Sequence, residues 1–126
     1  MKKYAVVDLT VINLTPHKVV IINERGKCVF PPSGKIARVA YDRTESWSCH
    51  FPDPSGLVTI TFLRESKLYP DASLPDPREG VLYIVSRDVA QHNLDRSDLI
   101  VPDTENAIRD DKGRIIGVPG FVVFAK

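Results

Sequence analysis

The run Gly80-Val81-Leu82-Tyr83-Ile84-Val85-Ser86 (GVLYIVS, residues 80–86) is the most apolar stretch of the chain, and the reading of the fold starts from it. Its β-branched and aromatic residues stand between a glycine and a capping serine. They predict a central strand buried on both faces. Ser86 suits an N-cap and Asp88 falls where the first turn of a helix favours negative charge, so a short helix is predicted over Arg87 to Asn93.

On the N-terminal side, Tyr4 to Leu14 and Lys18 to Asn23 are rich in β-branched residues. Glu24-Arg25-Gly26-Lys27 reads as a turn with glycine where positive φ is easiest, and Cys28-Val29-Phe30 returns, so KVVIINERGKCVF is a predicted hairpin. Pro31-Pro32-Ser33-Gly34 stops it, because the prolines cannot donate to a ladder. Lys35 to Tyr41 is expected to form the next strand and Asp42 to Glu45 a turn. Trp47 to Phe51 and Leu57 to Leu63 are expected to pair across Pro52-Asp53-Pro54-Ser55-Gly56, with Val58, Ile60 and Phe62 alternating with Thr59 and Thr61. Arg64 to Glu79, with Pro70, Pro75 and Pro77, reads as a surface loop. In the last third, Asp110-Asp111-Lys112-Gly113 is a turn, Arg114 to Val118 a strand and Phe121 to Phe124 a final strand.

The expectation is therefore a β-rich α+β fold: a twisted antiparallel or mixed sheet or partly closed barrel with one short helix after the central strand. The 126 residues fit a single compact domain, 1–126, that can bury a core without staples. A net charge of +1 argues against a broad grip on extended nucleic acid. The two cysteines, Cys28 and Cys49, form no CxxC pair and read as reduced, buried thiols. No run reaches the roughly 18 apolar residues of a membrane span. Asp8, Thr10 and Asn13 interrupt the apolar start, so a cytoplasmic protein is expected, and the formal sequon Asn13-Leu14-Thr15 is discounted.

Motifs that carry chemistry are sparse. Asn13-Leu14-Thr15-Pro16-His17 is first a proline-set turn, with Asn13 and Thr15 bonding the local backbone. Its second reading puts His17 at the rim of a pocket. Pro31-Pro32-Ser33-Gly34-Lys35 fails the phosphate-loop pattern, although Ser33 and Gly34 could offer backbone N–H groups to a small anion. His17, His50 and His92 lack metal spacing, Asp103 to Asp111 do not match a calcium loop, and there is no GxSxG. No metal or cofactor is expected. Ser86 to Arg114 alternates Arg87, Arg96, Arg109 and Arg114 with six aspartates. These are exposed ion pairs on turns, or one or two of the arginines turn inward to hold phosphate or carboxylate.

Together NLTPH (13–17), PPSGKIARV (31–39), LPDPREGVLYIVS (74–86), DRSDLIVPDT and IRDDKGRIIGV resemble a family of small phage, prophage and bacterial proteins. The resemblance covers most of the chain apart from about 42–73. It implies a phage or prophage setting and little about chemistry. In that setting the residues suit a non-enzymatic binding protein. It would sequester a phosphate-containing nucleotide immune signal, as a homo-oligomer in a bacterial cytoplasm. Arg38, Arg96 and Arg109 would grip phosphates, and His17, Ser33 and Asp98 would fix the ligand's polar edge. The alternatives are a protein-interaction module that inhibits a host enzyme or serves the virion, and a small nucleotide hydrolase with His17 or His92 as general base.

Overall fold

The computed structural model describes residues 8–67 and 73–124. The chain divides into two compact units, Met1–Arg38 with Ser73–Lys126, and Val39–Ala72.

The first unit is built on a four-stranded mixed sheet. Strand β1 (Thr10–Asn13) leads through the NLTPH turn into a hairpin of β2 (Val19–Asn23) and β3 (Gly26–Phe30). The ladder closes at Asn23 and Gly26 around Glu24-Arg25, with Asn23 Oδ1 accepting from the Arg25 N–H at 2.9 Å. Gly26 has φ +142, which a side chain would resist.

The second unit is one long two-stranded ribbon. Strand β4 (Tyr41–Asp53) pairs antiparallel with β5 (Gly56–Lys67), with a register shift between Glu45 and Trp47. Asp53 Oδ1 accepts from both the N–H and the hydroxyl of Ser55 and so closes the tip turn.

The GVLYIVS run becomes β6 (Val81–Ile84), an inner strand that lies between β1 and β7 and is parallel to both. Helix α1 (Arg87–Gln91) follows, capped by Ser86 Oγ accepting from the Val89 N–H. Strand β7 (Leu99–Pro102) carries the sheet on to β10 (Phe121–Val122), with a 3-10 turn at Thr104–Asn106 and a small hairpin of β8 (Ile108–Arg109) and β9 (Ile115–Gly117) between them. The core lies where this sheet meets the β2–β3 hairpin. Val19, Ile84, Ile100 and Val118 form its buried centre, with Val11, Ile21, Phe30, Leu82, Ala107 and Phe121 packed around them.

The β-rich mixed sheet with one short helix is as expected. No closed barrel forms among the described residues. Several boundaries differ, each for a physical reason. Lys35 to Ala40 joins no ladder; instead the N–H groups of Ser33 and Ala37 donate to the carbonyls of Asn13 and Leu14 and cover the free edge of β1. Asp42 to Glu45 is strand, because its polar side chains sit opposite polar partners such as Arg43 with Glu65. Strand β5 runs on to Lys67 past the expected start of a loop; residues 68–72 lie outside the described residues, as do 4–7 of the expected first strand. Strand β7 was hidden by its flanks: Leu99-Ile100-Val101 is buried but framed by Asp98 and Asp103. Both cysteines are free, but Cys28 is exposed and Cys49 half-buried, since each lies on a two-stranded ladder.

Candidate functional site

All three parallel strands of the sheet point their carboxyl ends the same way, and the chain leaving each one reaches a single cleft. From β1 come Thr15, His17 and Lys18; from β6 come Val85, Ser86 and Arg87; from β7 come Val101, Pro102 and Thr104. Val19 and Val20 of β2 and Ile115 to Val118 of the β9 segment complete a space of about 550 Å³. Its floor is aliphatic and its polar groups are hydroxyls, one imidazole and two cations.

The NLTPH turn is held by a buried asparagine. Asn13 is 2% exposed. Its Nδ2 donates to the carbonyls of His17 at 2.8 Å and Phe30 at 3.0 Å, and its Oδ1 accepts from the Thr15 N–H at 2.9 Å. The Thr15 hydroxyl lies 2.7 Å from Asn13 Oδ1 and 2.9 Å from the His17 carbonyl, and its single hydrogen can serve one of them at a time. The backbone of His17 is thus pinned by Asn13 and Thr15, and the residue lines the cleft. On the other side, the Arg87 guanidinium stacks over the Phe124 ring at 4.8 Å, which restrains a long cationic side chain.

Across the cleft, β9 docks on β2 through the Val118 N–H to the Val20 carbonyl and the Ile22 N–H to the Val118 carbonyl, both at 2.9 Å. Gly117 makes that approach possible. A Cβ there would meet Ile22 Cδ1 at 2.7 Å and the Val20 carbonyl oxygen at 3.0 Å.

Of the six residues expected to contact a ligand, His17 alone lines this cleft. Arg96 and Asp98 lie together, each 14% exposed at its side chain, beside a smaller polar depression with Arg78 and Glu79. Arg96 donates through Nε and Nη2 to the two Asp98 oxygens and through Nη2 to the Pro75 carbonyl, all at 2.8 Å. Those hydrogen bonds hold the Asp98 carboxyl below its usual range against the opposing effect of burial. The pair fastens the proline-rich loop to the turn before β7. Arg109 Nη1 donates to the Gly113 carbonyl inside the β8–β9 hairpin. The Arg38 N–H donates to Ser73 Oγ, and Ser33 Oγ sits 3.3 Å from the Lys35 N–H, with both residues exposed.

Lys18 was not expected at the site, and Arg87 was expected there only as one of the four arginines of 86–114 that could turn inward. The signal available was positional: each is a cation shortly after a strand. Only the parallel pairing of β1 with β6, which joins residues some seventy positions apart, brings them to one cleft. Among the described residues no group of three or more His, Cys, Asp or Glu side chains is placed to hold a metal ion. No helix among them is long and apolar enough to cross a membrane. Comparison with protein-family models, with curated proteins and with solved structures gives no match.

Proposed function

We propose that the chain is a non-enzymatic binding protein that captures a phosphate-containing small molecule in the cleft at the carboxyl ends of β1, β6 and β7. The observation that carries this reading is the convergence of three parallel strand ends on one largely aliphatic cleft with a cationic rim. In open sheets with parallel strands, the carboxyl ends are where ligands bind, and a cleft of a few hundred Å³ with few polar groups suits a small molecule. The floor of Val19, Val20, Val101 and Ile116 suits the flat face of a nucleobase. Arg87 offers a planar fork for phosphate oxygens, and Lys18 adds a mobile point charge. His17, Thr15, Ser86 and Thr104 supply hydrogen-bonding groups for the polar edge.

In the phage or prophage setting implied by the sequence resemblance, such capture would withdraw a cyclic-nucleotide or ADP-ribose-type immune signal. Mass spectrometry of material released from denatured protein tests this, together with calorimetric titration of ADP-ribose and cyclic nucleotides. An intact phosphate compound is the expected finding. Arg87→Ala should weaken its binding about tenfold or more, the loss of a charged hydrogen bond, with an unchanged melting temperature. The reading fails if no phosphate compound binds, or if Arg87→Ala and Lys18→Ala both bind like wild type. Conversion of the compound would favour a hydrolase instead.

A further inference from the structure

The β4–β5 ribbon has two unlike faces. By strand alternation, Ser48, His50 and Pro52 share one face with Thr61, Thr59 and Leu57. This face satisfies itself: Ser48 and Thr61 hydroxyls lie 3.1 Å apart, and His50 Nδ1 lies 2.9 Å from the Thr59 hydroxyl. The other face carries three consecutive cross-strand pairs, Trp47 with Phe62, Cys49 with Ile60, and Phe51 with Val58. The Trp47 and Phe62 rings stack with centroids 4.1 Å apart. Leu57 and Leu63 also stand exposed on the polar face, but the hydroxyl ladder separates them.

From Tyr41 to Ser66 no residue is buried. A two-stranded hairpin in water is marginal by itself and gains independent stability from a further layer or further strands. We propose that the bare face is covered by the same face of a second copy of this chain, packed antiparallel about a two-fold axis through the Cys49–Ile60 pair.

Charge selects this occupant. Alternation puts Asp53 just beyond the stripe at the tip end and Arg64 just beyond it at the stem end. An antiparallel, face-to-face arrangement carries the tip of one ribbon over the stem of the other. It brings Arg64 of each copy towards Asp53 of its mate, at both ends. A two-fold contact needs such a self-complementary patch, and this stripe is one. Trp47, Phe51 and Phe62 are 55%, 45% and 37% exposed. With Val58 and Ile60 they offer on the order of 400 Å² per copy. Two copies would then cover about 800 Å², less than the roughly 1,200–2,000 Å² of standard interfaces, so the dimer is concentration-dependent rather than obligate.

The test is sedimentation of the full chain across a concentration series, with a thiol reporter. Wild type should pass from monomer to dimer. Trp47→Lys should weaken the dimer about tenfold or more, as loss of an aromatic anchor does. Thr61→Lys, on the opposite face of the same ribbon, should leave association unchanged and so controls for folding. In a Cys28→Ser background, a bifunctional thiol reagent should link Cys49 to Cys49 only where the dimer forms. A wild type that stays monomeric overturns the proposal. So does equal weakening by both lysine variants, absence of the Cys49 cross-link, or a ribbon face that is protected only when a different protein is added.

Discussion

Asn13 shows how much one buried side chain can organise. Both its amide donors and its acceptor are used, and they tie β1, the His17 turn and the end of β3 together. Asn13→Ala strands those backbone groups, so denaturant unfolding should show a loss of about 2–4 kcal/mol at an unchanged m value. Asn13→Asp keeps the size but cannot donate, and should be nearly as damaging. Asp98 has a different signature. Its pKa is lowered in the fold, chiefly by Arg96, so the stability it contributes is fully present above the ordinary carboxylate value of about 3.9. That contribution is lost as pH falls through the lowered folded value. Asp98→Asn should therefore reduce stability at neutral pH and make its fall below about pH 4 shallower, measured by urea unfolding at a series of pH values. Arg96→Ala should act on stability in the same direction.

At the scale of elements, the hairpin and the sheet are joined by backbone as much as by side chains. The Val118 segment hydrogen-bonds to β2 only because Gly117 leaves room for Ile22 and the Val20 carbonyl. Gly117→Ala would press a methyl group on a backbone oxygen that cannot swing away. The expected loss is about 1–3 kcal/mol, read from thermal or denaturant unfolding. Because β2 and the β9 segment lie side by side and both line the cleft, the same substitution should also weaken binding of the proposed ligand, as calorimetry would show.

Across the whole chain, burial is uneven. Tyr83, Ile84, Val85 and Leu99 are essentially inaccessible, whereas the ribbon has no buried residue between Tyr41 and Ser66. Amide hydrogen exchange in dilute protein should therefore be slowest in Tyr83–Val85 and Leu99–Val101 and much faster in β4 and β5. A ribbon as protected as β6 in dilute protein would contradict the burial pattern. A small overall charge fits the same picture. With a net charge of +1, long-range repulsion gives no barrier to meeting a second copy, and no broad field steers polyanions.

Local chemistry made much of the fold readable in the sequence. The apolar run at 80–86, the Ser86 cap, the Glu24-Arg25-Gly26 turn and the alternation at 57–63 each act over a few residues, and each element stands where those rules put it. The failures have reasons too: β7 is a three-residue apolar run inside a charged segment, and 42–45 is strand because of partners about twenty residues away. The site was less legible. A guanidinium's role depends on what lies beside it, which residue type alone does not give. Here Arg96 meets Asp98 and Pro75, and Arg109 meets Gly113. The sequence by itself determined the central strand, the hairpin turn after β2 and the helix cap, since these follow from residues in sequence contact. Tertiary structure alone decided that β1, β6 and β7 run parallel, and so where the cleft lies and that His17, Lys18 and Arg87 share it, because side chains so far apart in the chain meet only through strand pairing.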